Sequence, residues 1–301
     1  IKWLESWAAP FLIAMGLALL IWAAVKVGGI SQMFPESPQN PAPFWPMFFP
    51  QLTAMVGFWA TLSLNIPDFT RYCKTQKDQA LGQLIGLPTT MALFSFIGIA
   101  VTSATIVIFG SAIWDPILLV GKLGSTTAIV IALIALTIAT LSTNIAANVV
   151  SPANGFANLS PRNISFKMGG IITCIIGVVI MPWRLYNDLG DYIFTWLIGY
   201  SALLGPIAGI MICDYFLIRR LRLNSDALYD SSGEYSGIRW STIVVLAIAV
   251  APNLPGFINA AFKTDLFPEF FNALYSYAWF VGITIAFVLY WVINRRKEQH
   301  G

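Results

Sequence analysis

The sequence is poor in charge. Only 10% of its 301 residues are Asp, Glu, Lys or Arg, whereas 57% are hydrophobic, and the mean hydropathy is +0.73. A soluble domain carries about 25% charged residues, so this composition excludes an ordinary soluble protein. The net charge of +3 does not indicate nucleic-acid binding and is typical of a membrane protein with basic cytoplasmic loops.

Residues that form disulfides or bind metals are also scarce. The three cysteines (Cys73, Cys174 and Cys213) have no CxxC or Cys/His spacing, and the only histidine, His300, lies in the terminal tail. The sequence contains no Ser/His/Asp set, no paired carboxylates within an apolar segment, no P-loop and no Rossmann glycine pattern. It therefore predicts neither an enzyme nor a bound cofactor.

Long apolar segments are abundant instead. About 20 apolar residues suffice for a helix to cross a membrane, and eight such segments are present. They cover residues 7–27, 46–66, 84–110, 126–152, 168–187, 192–218, 239–261 and 270–293. The sequence therefore predicts an all-α integral membrane protein, with residues 1–301 forming one transmembrane domain that contacts lipid.

Basic residues are concentrated on one side of these eight spans. Thirteen of the 17 Lys and Arg fall there: Lys2, Arg71, Lys74, Lys77, Arg162, Lys167, Arg219, Arg220, Arg222, Arg239, Arg295, Arg296 and Lys297. The opposite side has Lys26, Lys122, Arg184 and Lys263. Cytoplasmic loops carry the excess, so we expect both chain ends to face the cytoplasm from an inner or plasma membrane. Because the chain begins with Ile1 rather than Met, and "IKWLESW" has neither the shape nor the cleavage site of a signal peptide, we expect it to be part of a longer protein.

Charged side chains are absent from the middle of every predicted span. Asp68 follows the second span, and Asp214 and Arg219 lie near the cytoplasmic end of the sixth. Ionisable groups at membrane depth usually mark proton relays or sites for charged ligands. Their absence favours a neutral ligand, or charges contributed by helices outside this chain.

The second span has Gly57, Phe58 and Trp59 at its middle. One interpretation is a broken helix whose freed backbone groups line a cavity, as in transporters with inverted repeats. The other is that Gly57 allows close helix packing. A tryptophan at mid-span requires a partner for its N–H or forms the face of a pocket, and an aromatic face suits a planar heterocycle.

The fourth span contains "LSTNIAANVVSP", with several hydroxyls and amides. At 100° per residue, Ser142 and Thr143 lie within about 60° of Ala139, whereas Asn148 lies about 180° from Ala139 and about 40° from Asn144. The first group resembles a hard-oxygen cation site, and the asparagines suit an amide-like ligand. The alternative is that the hydroxyls bond back to helix carbonyls and the asparagines link helices. For Thr140 and Asn144 we prefer this alternative.

The sixth span contains Gly205 and Pro206 at its middle. Proline removes a backbone hydrogen bond, so this pair predicts a kink or hinge. Such a hinge would allow the outer half of the span, including Leu197 and Tyr200, to act as a lid. Gly205 and Gly209 have GxxxG spacing, which more often indicates close helix packing.

Four stretches resemble the nucleobase:cation symporter-1 family: "GFWATLSLNIPDFTRYCKTQKDQALGQLIGLP" (57–88), "LSTNIAANVVSPANGFANLSPR" (141–162), "MPWRLY" (181–186) and "LLGPIAGIMICDYFLIRR" (203–220). The tryptophan in the first is most similar to the allantoin, uracil and hydantoin branch, with the allantoin permeases nearest. The resemblance implies a LeuT-like inverted-repeat fold with about twelve transmembrane helices, eight of them in this chain. Residues 7–27 would be the last helix of the first repeat, 46–218 the second five-helix repeat, and 239–293 two additional helices.

The resemblance also implies a site for the coupling ion. In this family a cation binds between the first and eighth helices, on carbonyls and hydroxyls. Carried onto this sequence, the eighth-helix residues are Ala139, Ser142 and Thr143. These three would hold Na⁺ if sodium is the coupling ion; coupling to H⁺ is the alternative.

A substrate site is implied in the same way. The substrate would stack on Trp59, accept and donate hydrogen bonds at Asn148, and meet the backbone of Gly57 and Phe58. The hydantoin-transporting relative has glycine where this chain has Phe58, so we expect a compact ring rather than an arylated hydantoin. The second stacking tryptophan and the other half of the cation site are expected on helices that precede Ile1.

The function that these residues predict is cation-coupled symport of a neutral planar heterocycle. Allantoin is the first choice of substrate, and uracil, a related nucleobase or a hydantoin are the others. The alternative from another class is a channel or facilitator that passes small polar solutes independently of a cation. A membrane-embedded enzyme or structural protein is less favoured, because no catalytic cluster is present.

Overall fold

The structure is a computed structural model that describes residues 2–34, 43–122, 124–183, 192–228, 230 and 232–295. The regular elements within these ranges are all helical. The α-helices are α1 (Lys2–Val27), α2 (Phe44–Asn65), α3 (Pro67–Thr70), α4 (Gln76–Leu81), α5 (Leu87–Phe109), α6 (Pro116–Val120), α7 (Thr126–Asn144), α8 (Ser151–Leu159), α9 (Phe166–Ile180), α10 (Ile198–Ile212), α11 (Trp240–Val250), α12 (Leu254–Phe262), α13 (Glu269–Tyr275) and α14 (Ala278–Asn294).

Four π-helical segments interrupt or extend these helices. They are Gly82–Gly86, Ile145–Val150, Tyr192–Leu197 and Cys213–Ile218. Three short 3₁₀ turns cover Ile30–Met33, Asp226–Leu228 and Ala251–Asn253. A π-helical turn holds an extra residue and often occurs at functional sites. The one between α7 and α8, Ile145–Val150, contains Asn148.

Six of the eight predicted spans are confirmed as helices long and apolar enough to cross a membrane. They are Trp7–Val27, Phe44–Asn65, Gln76–Phe109, Thr126–Leu159, Thr195–Ile218 and Trp240–Phe262. The third span begins earlier than predicted, because Thr75 caps its first turn by accepting a hydrogen bond from the backbone N–H of Asp78 at 3.1 Å.

The other two predicted spans differ from the prediction. The fifth, predicted to reach residue 187, is helical only to Ile180, and residues 184–187 lie outside the described ranges. Met181 has φ 53° and precedes Pro182, which disfavours continued α-helix. The eighth consists of α13 and α14, which are bent by 80° where they meet.

The described residues form two compact units. The first contains α1 and the helices from α3 to most of α9 (Pro67–Gly177), and the second contains α2 and the described residues from Val178 onward. In the first unit, α1 packs against α5 and α7. Its core is centred on small and branched side chains, with Ala23, Ile97, Ala100, Ala104 and Leu119 buried. The small residues let these apolar helices approach closely.

The second unit is built around α10, which packs against α2 and α14. A Cβ at Gly209 would lie 2.6 Å from the carbonyl oxygen of Ile283, and one at Gly205 would lie 2.9 Å from that of Trp279. No side chain fits at either position, so α10 and α14 are in backbone contact. This confirms the close-packing interpretation of the GxxxG spacing.

Candidate functional site

Gly57 lies on the buried face of α2. The helix is continuous from Phe44 to Asn65, so the interpretation of a helix broken at Gly57 is wrong. A Cβ at Gly57 would lie 2.5 Å from Oγ of Ser201 and would overlap the carbonyl oxygen of Leu197. The hydroxyl of Ser201 donates to the carbonyl of Thr53 at 2.8 Å, one turn away. Gly57 therefore allows close contact with α10, which is the packing alternative.

Phe58 and Trp59 lie away from this buried face. Trp59 is two positions from Gly57, about 200° around the helix. The side chain of Trp59 is 37% exposed and that of Phe58 is 51% exposed, whereas Thr53, Ala54, Gly57 and Ala60 are buried. The two rings meet edge to face, with centroids 5.3 Å apart and planes at 78°. An aromatic pair thus projects from α2 outside the core of its unit.

The candidate cation-site residues lie together on α7. The hydroxyl of Ser142 is buried and donates to the carbonyl of Ala139 at 3.2 Å, which is long for an O–H···O bond. Thr143 is exposed, and its hydroxyl makes no hydrogen bond within the described part of the chain. By contrast, Thr137 donates to the carbonyl of Leu133 at 2.8 Å. A weakly bound hydroxyl, a carbonyl and an unused hydroxyl together form an oxygen donor set that fits a small hard cation.

The two asparagines lie where α7 passes into the π-helical segment Ile145–Val150. The 100° spacing therefore holds as far as Asn144 but fails at Asn148, which is not simply opposite Ala139. The pairing of the asparagines is confirmed, because Nδ2 of Asn148 donates to Oδ1 of Asn144 at 2.7 Å. Asn144 also donates from Nδ2 to the carbonyl of Thr140 at 2.9 Å, in agreement with the back-bonding interpretation.

The side-chain oxygen Oδ1 of Asn148 accepts no hydrogen bond within the described residues, so it can accept one from a ligand. Nδ2 of Asn148 donates one of its two hydrogens to Asn144, and both side chains are exposed. An amide with a free acceptor, held in place by a neighbouring amide, can bind a ligand N–H without further ordering.

The residues of the predicted hinge and lid lie on α10 and just before it. Gly205 and Pro206 are buried within α10, which is helical throughout Ile198–Ile212. Leu197 is buried, and Tyr200 is 48% exposed. The structure thus places these four residues along one span, Thr195–Ile218, and the lid remains a prediction.

The charged residues near the end of this span are paired with one another. Asp214 accepts hydrogen bonds from Nε of Arg219 at 2.5 Å and from the hydroxyl of Tyr290 at 2.7 Å, and Arg239 lies 3.9 Å away. Burial lowers the pKa of Arg219, but its hydrogen bond with Asp214 and nearby negative charge outweigh burial and raise the pKa overall. These charges stabilise the second unit and are occupied by each other, so they do not form a ligand site.

One polar contact was not anticipated from the sequence. The side chain of Asn154 donates from Nδ2 to Oδ1 of Asp68 at 2.9 Å, across 86 positions of the sequence. Both residues belong to the first unit. Asp68 was noticeable as an acid directly after an apolar span, but nothing in the spacing identified Asn154 as its partner.

The predicted residues fall into two groups on different units. Ala139, Ser142, Thr143 and Asn148 are held by the first unit, and Gly57, Phe58, Trp59 and the hinge residues by the second. The first group lies along one continuous span, and the second is divided between α2 and the span that contains α10. Among the described residues, no cluster of His, Cys, Asp or Glu could hold a metal ion. Apolar spans with uncharged polar groups on single faces are typical of a multi-pass transport protein rather than an enzyme.

A family model described as "Permease for cytosine/purines, uracil, thiamine, allantoin" matches residues 1–282. The chain therefore belongs to this family, whose members are permeases and not enzymes. It is 45% identical over 302 residues to the purine-uracil permease NCS1 of Arabidopsis thaliana, covering 98% of this chain and 50% of that protein. It is 40% identical over 299 residues to the allantoin permease of Bacillus subtilis, covering 98% of this chain and 59% of that protein.

A solved structure gives the same result for the fold. Mhp1, a nucleobase-cation-symport-1 family transporter in a closed conformation with bromovinylhydantoin bound, superposes with a TM-score of 0.69 at 27% identity, covering 96% of this chain and 61% of Mhp1. The prediction of a LeuT-like, all-α transporter fold is thereby confirmed. The chain spans about half to three-fifths of the length of these relatives.

Proposed function

We propose that the full-length protein is a secondary active transporter that couples the uptake of a neutral planar heterocycle to a cation gradient. The observation that carries this proposal is the exposed aromatic pair of Phe58 and Trp59 on α2. An indole at membrane depth that is outside the core offers an apolar face to a flat ring. The family supports a heterocycle as the substrate, and the relatives named for allantoin and purine-uracil transport support allantoin first and uracil second.

We assign the substrate contacts as follows. The ring stacks on Trp59 and meets the backbone at Gly57 and Phe58, while Asn148 supplies hydrogen bonds to the ring amides. The unused acceptor of Asn148 supports its role, because allantoin and uracil both present N–H donors. The absence of charge in the middle of the described spans is consistent with a neutral substrate.

We assign cation binding to the carbonyl of Ala139 and the hydroxyls of Ser142 and Thr143. The unused hydroxyl of Thr143 and the long hydrogen bond of Ser142 support this assignment, because both oxygens can turn to a cation at little cost. Coupling requires that each ligand bind one state of the transporter better than the other. The cation stabilises the outward-open state, and the substrate then binds to that state.

The arrangement in the membrane is part of the same proposal. Residues 7–27 are the last helix of the first repeat, 46–218 form the second repeat, and 239–293 are two additional helices. Both ends of the chain face the cytoplasm of an inner or plasma membrane, as the distribution of Lys and Arg indicates.

Uptake of radiolabelled allantoin and uracil into proteoliposomes that contain the full-length protein tests the proposal. We expect uptake that follows an imposed sodium or proton gradient and stops when an ionophore dissipates it. Uptake that is indifferent to both gradients would identify a facilitator instead. Absence of uptake and binding for every heterocycle tried would reject the transporter proposal itself.

The ring of Phe58 is expected to limit substrate size. Replacing Phe58 with alanine removes this ring beside Trp59, so 5-benzylhydantoin should gain about tenfold in affinity relative to allantoin. The measurement is competition of each compound against labelled allantoin. Phe48→Ala, in the same helix and also partly exposed, is the matched control and should leave the ratio unchanged. An unchanged ratio in the Phe58 variant would remove this residue from the substrate site.

A further inference from the structure

The chain passes from the second unit to the first where α2 ends. The boundary falls between Ile66 and Pro67, and Pro67–Thr70 forms the single turn α3 of the first unit. Because proline lacks an N–H, α2 cannot continue unchanged through this position. The helix that carries Trp59 is continuous up to Asn65, and we call the turn Pro67–Thr70 that follows it the joint.

One side chain anchors the joint. Asp68, in the only turn of α3, accepts the hydrogen bond from Nδ2 of Asn154 at 2.9 Å, and both side chains are half-buried. A hydrogen bond to an ionised carboxylate is stronger than one between neutral groups. Within the described part of the chain this is the only hydrogen bond of the Asp68 side chain, although Arg71 is only three positions further on. Asp68 thus bonds to a distant helix rather than to its own turn.

Asn154 belongs to the span that carries the proposed cation site. This span is helical from Thr126 to Leu159, through α7, the π-helical segment and α8. At 1.5 Å per residue, Asn154 lies about 9 Å along it from Asn148 and about 16 Å from Thr143. Asp68 is nine positions after Trp59 and lies in α3, beyond the end of α2. Asn154 and Asp68 are therefore each too far along the chain from the proposed ligand-binding residues on their side of the contact to touch a ligand.

A purely local role explains this contact poorly. An acid in the first turn can stabilise a helix by accepting its free N–H groups, but the carboxylate of Asp68 bonds to Asn154 on α8. A four-residue turn gains little from such a charge. What the bond does is fix the start of the 67–75 connection on α8.

We propose that the Asp68–Asn154 hydrogen bond is a positioning contact that holds the joint after α2 on the span carrying the cation-site residues, and so sets the turnover of transport without contributing to ligand affinity. The inference rests on the proposed function. When the bond is broken, the joint is no longer held on α8, the last part of the span that carries the cation-site residues. Ligands still bind, but the change of state that carries them across becomes slower.

The test exchanges the carboxylate and the amide of the pair, in two steps, in the full-length protein. Asn154→Asp places a second carboxylate against Asp68, and the two repel. Adding Asp68→Asn restores a donor and an acceptor with their roles exchanged. In proteoliposomes we expect the single variant to lower the maximal rate of allantoin uptake about tenfold, with unchanged binding affinity, and the exchanged pair to recover most of that rate. Asn163→Asp is the matched control; Asn163 is exposed and bonds only locally to Ser160.

A second readout reports on the joint itself. Cys73 is exposed and lies three positions after the end of α3. Its labelling by a maleimide, followed at its own peptide by mass spectrometry, should accelerate in Asn154→Asp and return to the wild-type rate in the exchanged pair. A contact that only stabilised the fold would change protein yield without this reversal.

The outcomes separate the two proposals. If the wild-type protein neither binds nor transports a heterocycle, the proposed function fails. If the wild type transports but Asn154→Asp is equally fast, or the exchanged pair stays slow, or affinity falls together with rate, the positioning role alone is rejected. Should Asn154→Asp not fold, a double-mutant cycle of Asp68→Ala and Asn154→Ala decides: independent effects of the two substitutions on turnover would overturn the inference.

Discussion

Replacing Trp59 with alanine will lower the affinity for allantoin or uracil by about 10- to 100-fold. Stacking of a flat ring on an indole contributes binding energy that a methyl group cannot replace. The indole is 37% exposed and lies opposite the packing face of α2, so its loss should leave the contact between α2 and α10 intact. Equilibrium binding to the purified full-length protein measures the effect.

Two controls make this result specific. Trp45→Ala makes the same substitution in the same helix, at a tryptophan that stacks with Phe49 near the beginning of α2. It should bind substrate like the wild type. Trp59→Phe keeps an aromatic face and should lose less affinity than Trp59→Ala. Normal binding by Trp59→Ala, with the protein still monodisperse, would exclude the stacking role.

Replacing Thr143 with alanine will raise the cation concentration needed for half-maximal uptake by about 10- to 100-fold. Its hydroxyl makes no hydrogen bond within the described residues, so the substitution breaks no contact of the fold and removes only a donor oxygen. Substrate affinity at saturating cation should change little, because Thr143 is assigned to the cation and not to the ring. Uptake measured against sodium concentration and against pH identifies which ion is affected.

The chain offers a close control for this variant as well. Thr137→Ala, two turns earlier on α7, removes a hydroxyl that bonds back to Leu133 and should leave cation dependence unchanged. Thr143→Ser, which keeps the hydroxyl, should restore most of the wild-type dependence. An identical cation dependence in Thr143→Ala and the wild type would take this residue out of the cation site.

Most of the membrane-spanning helices could be predicted from the sequence, because a run of about 20 apolar residues is itself what allows a helix to cross the membrane. Six spans appear as predicted. The bend between α13 and α14 could not be predicted in this way. The two residues at the bend are Ser276 and Tyr277, and neither is a proline or a glycine that would mark a break. The early end of α9 could have been predicted from Pro182, because proline disfavours α-helix at the residue before it. A prediction based on apolar content alone does not detect this signal.

The candidate site was predictable in part. The grouping of Ala139, Ser142 and Thr143 needed only the α-helical repeat, and α7 keeps that repeat as far as Asn144. The position of Asn148 could not be predicted, because a π-helical turn arises from tertiary packing and leaves no pattern in one sequence. The Asp68–Asn154 contact could not be predicted either, because it joins residues 86 positions apart in the sequence.

The π-helical turn at Ile145–Val150 has a consequence for insertions and deletions rather than for substitutions. Deleting one residue there would let the span close as ordinary α-helix, and its apolar character would be unchanged. Because a π-helical turn holds one residue more than an α-helical turn, every later residue would keep nearly its orientation about the helix axis. Asn154 would then still face Asp68, whereas a one-residue deletion in the regular helix of α8 before Asn154 would rotate it by about 100°. We therefore expect this span to tolerate the loss of one residue in the π-helical segment better than in the α-helix that follows.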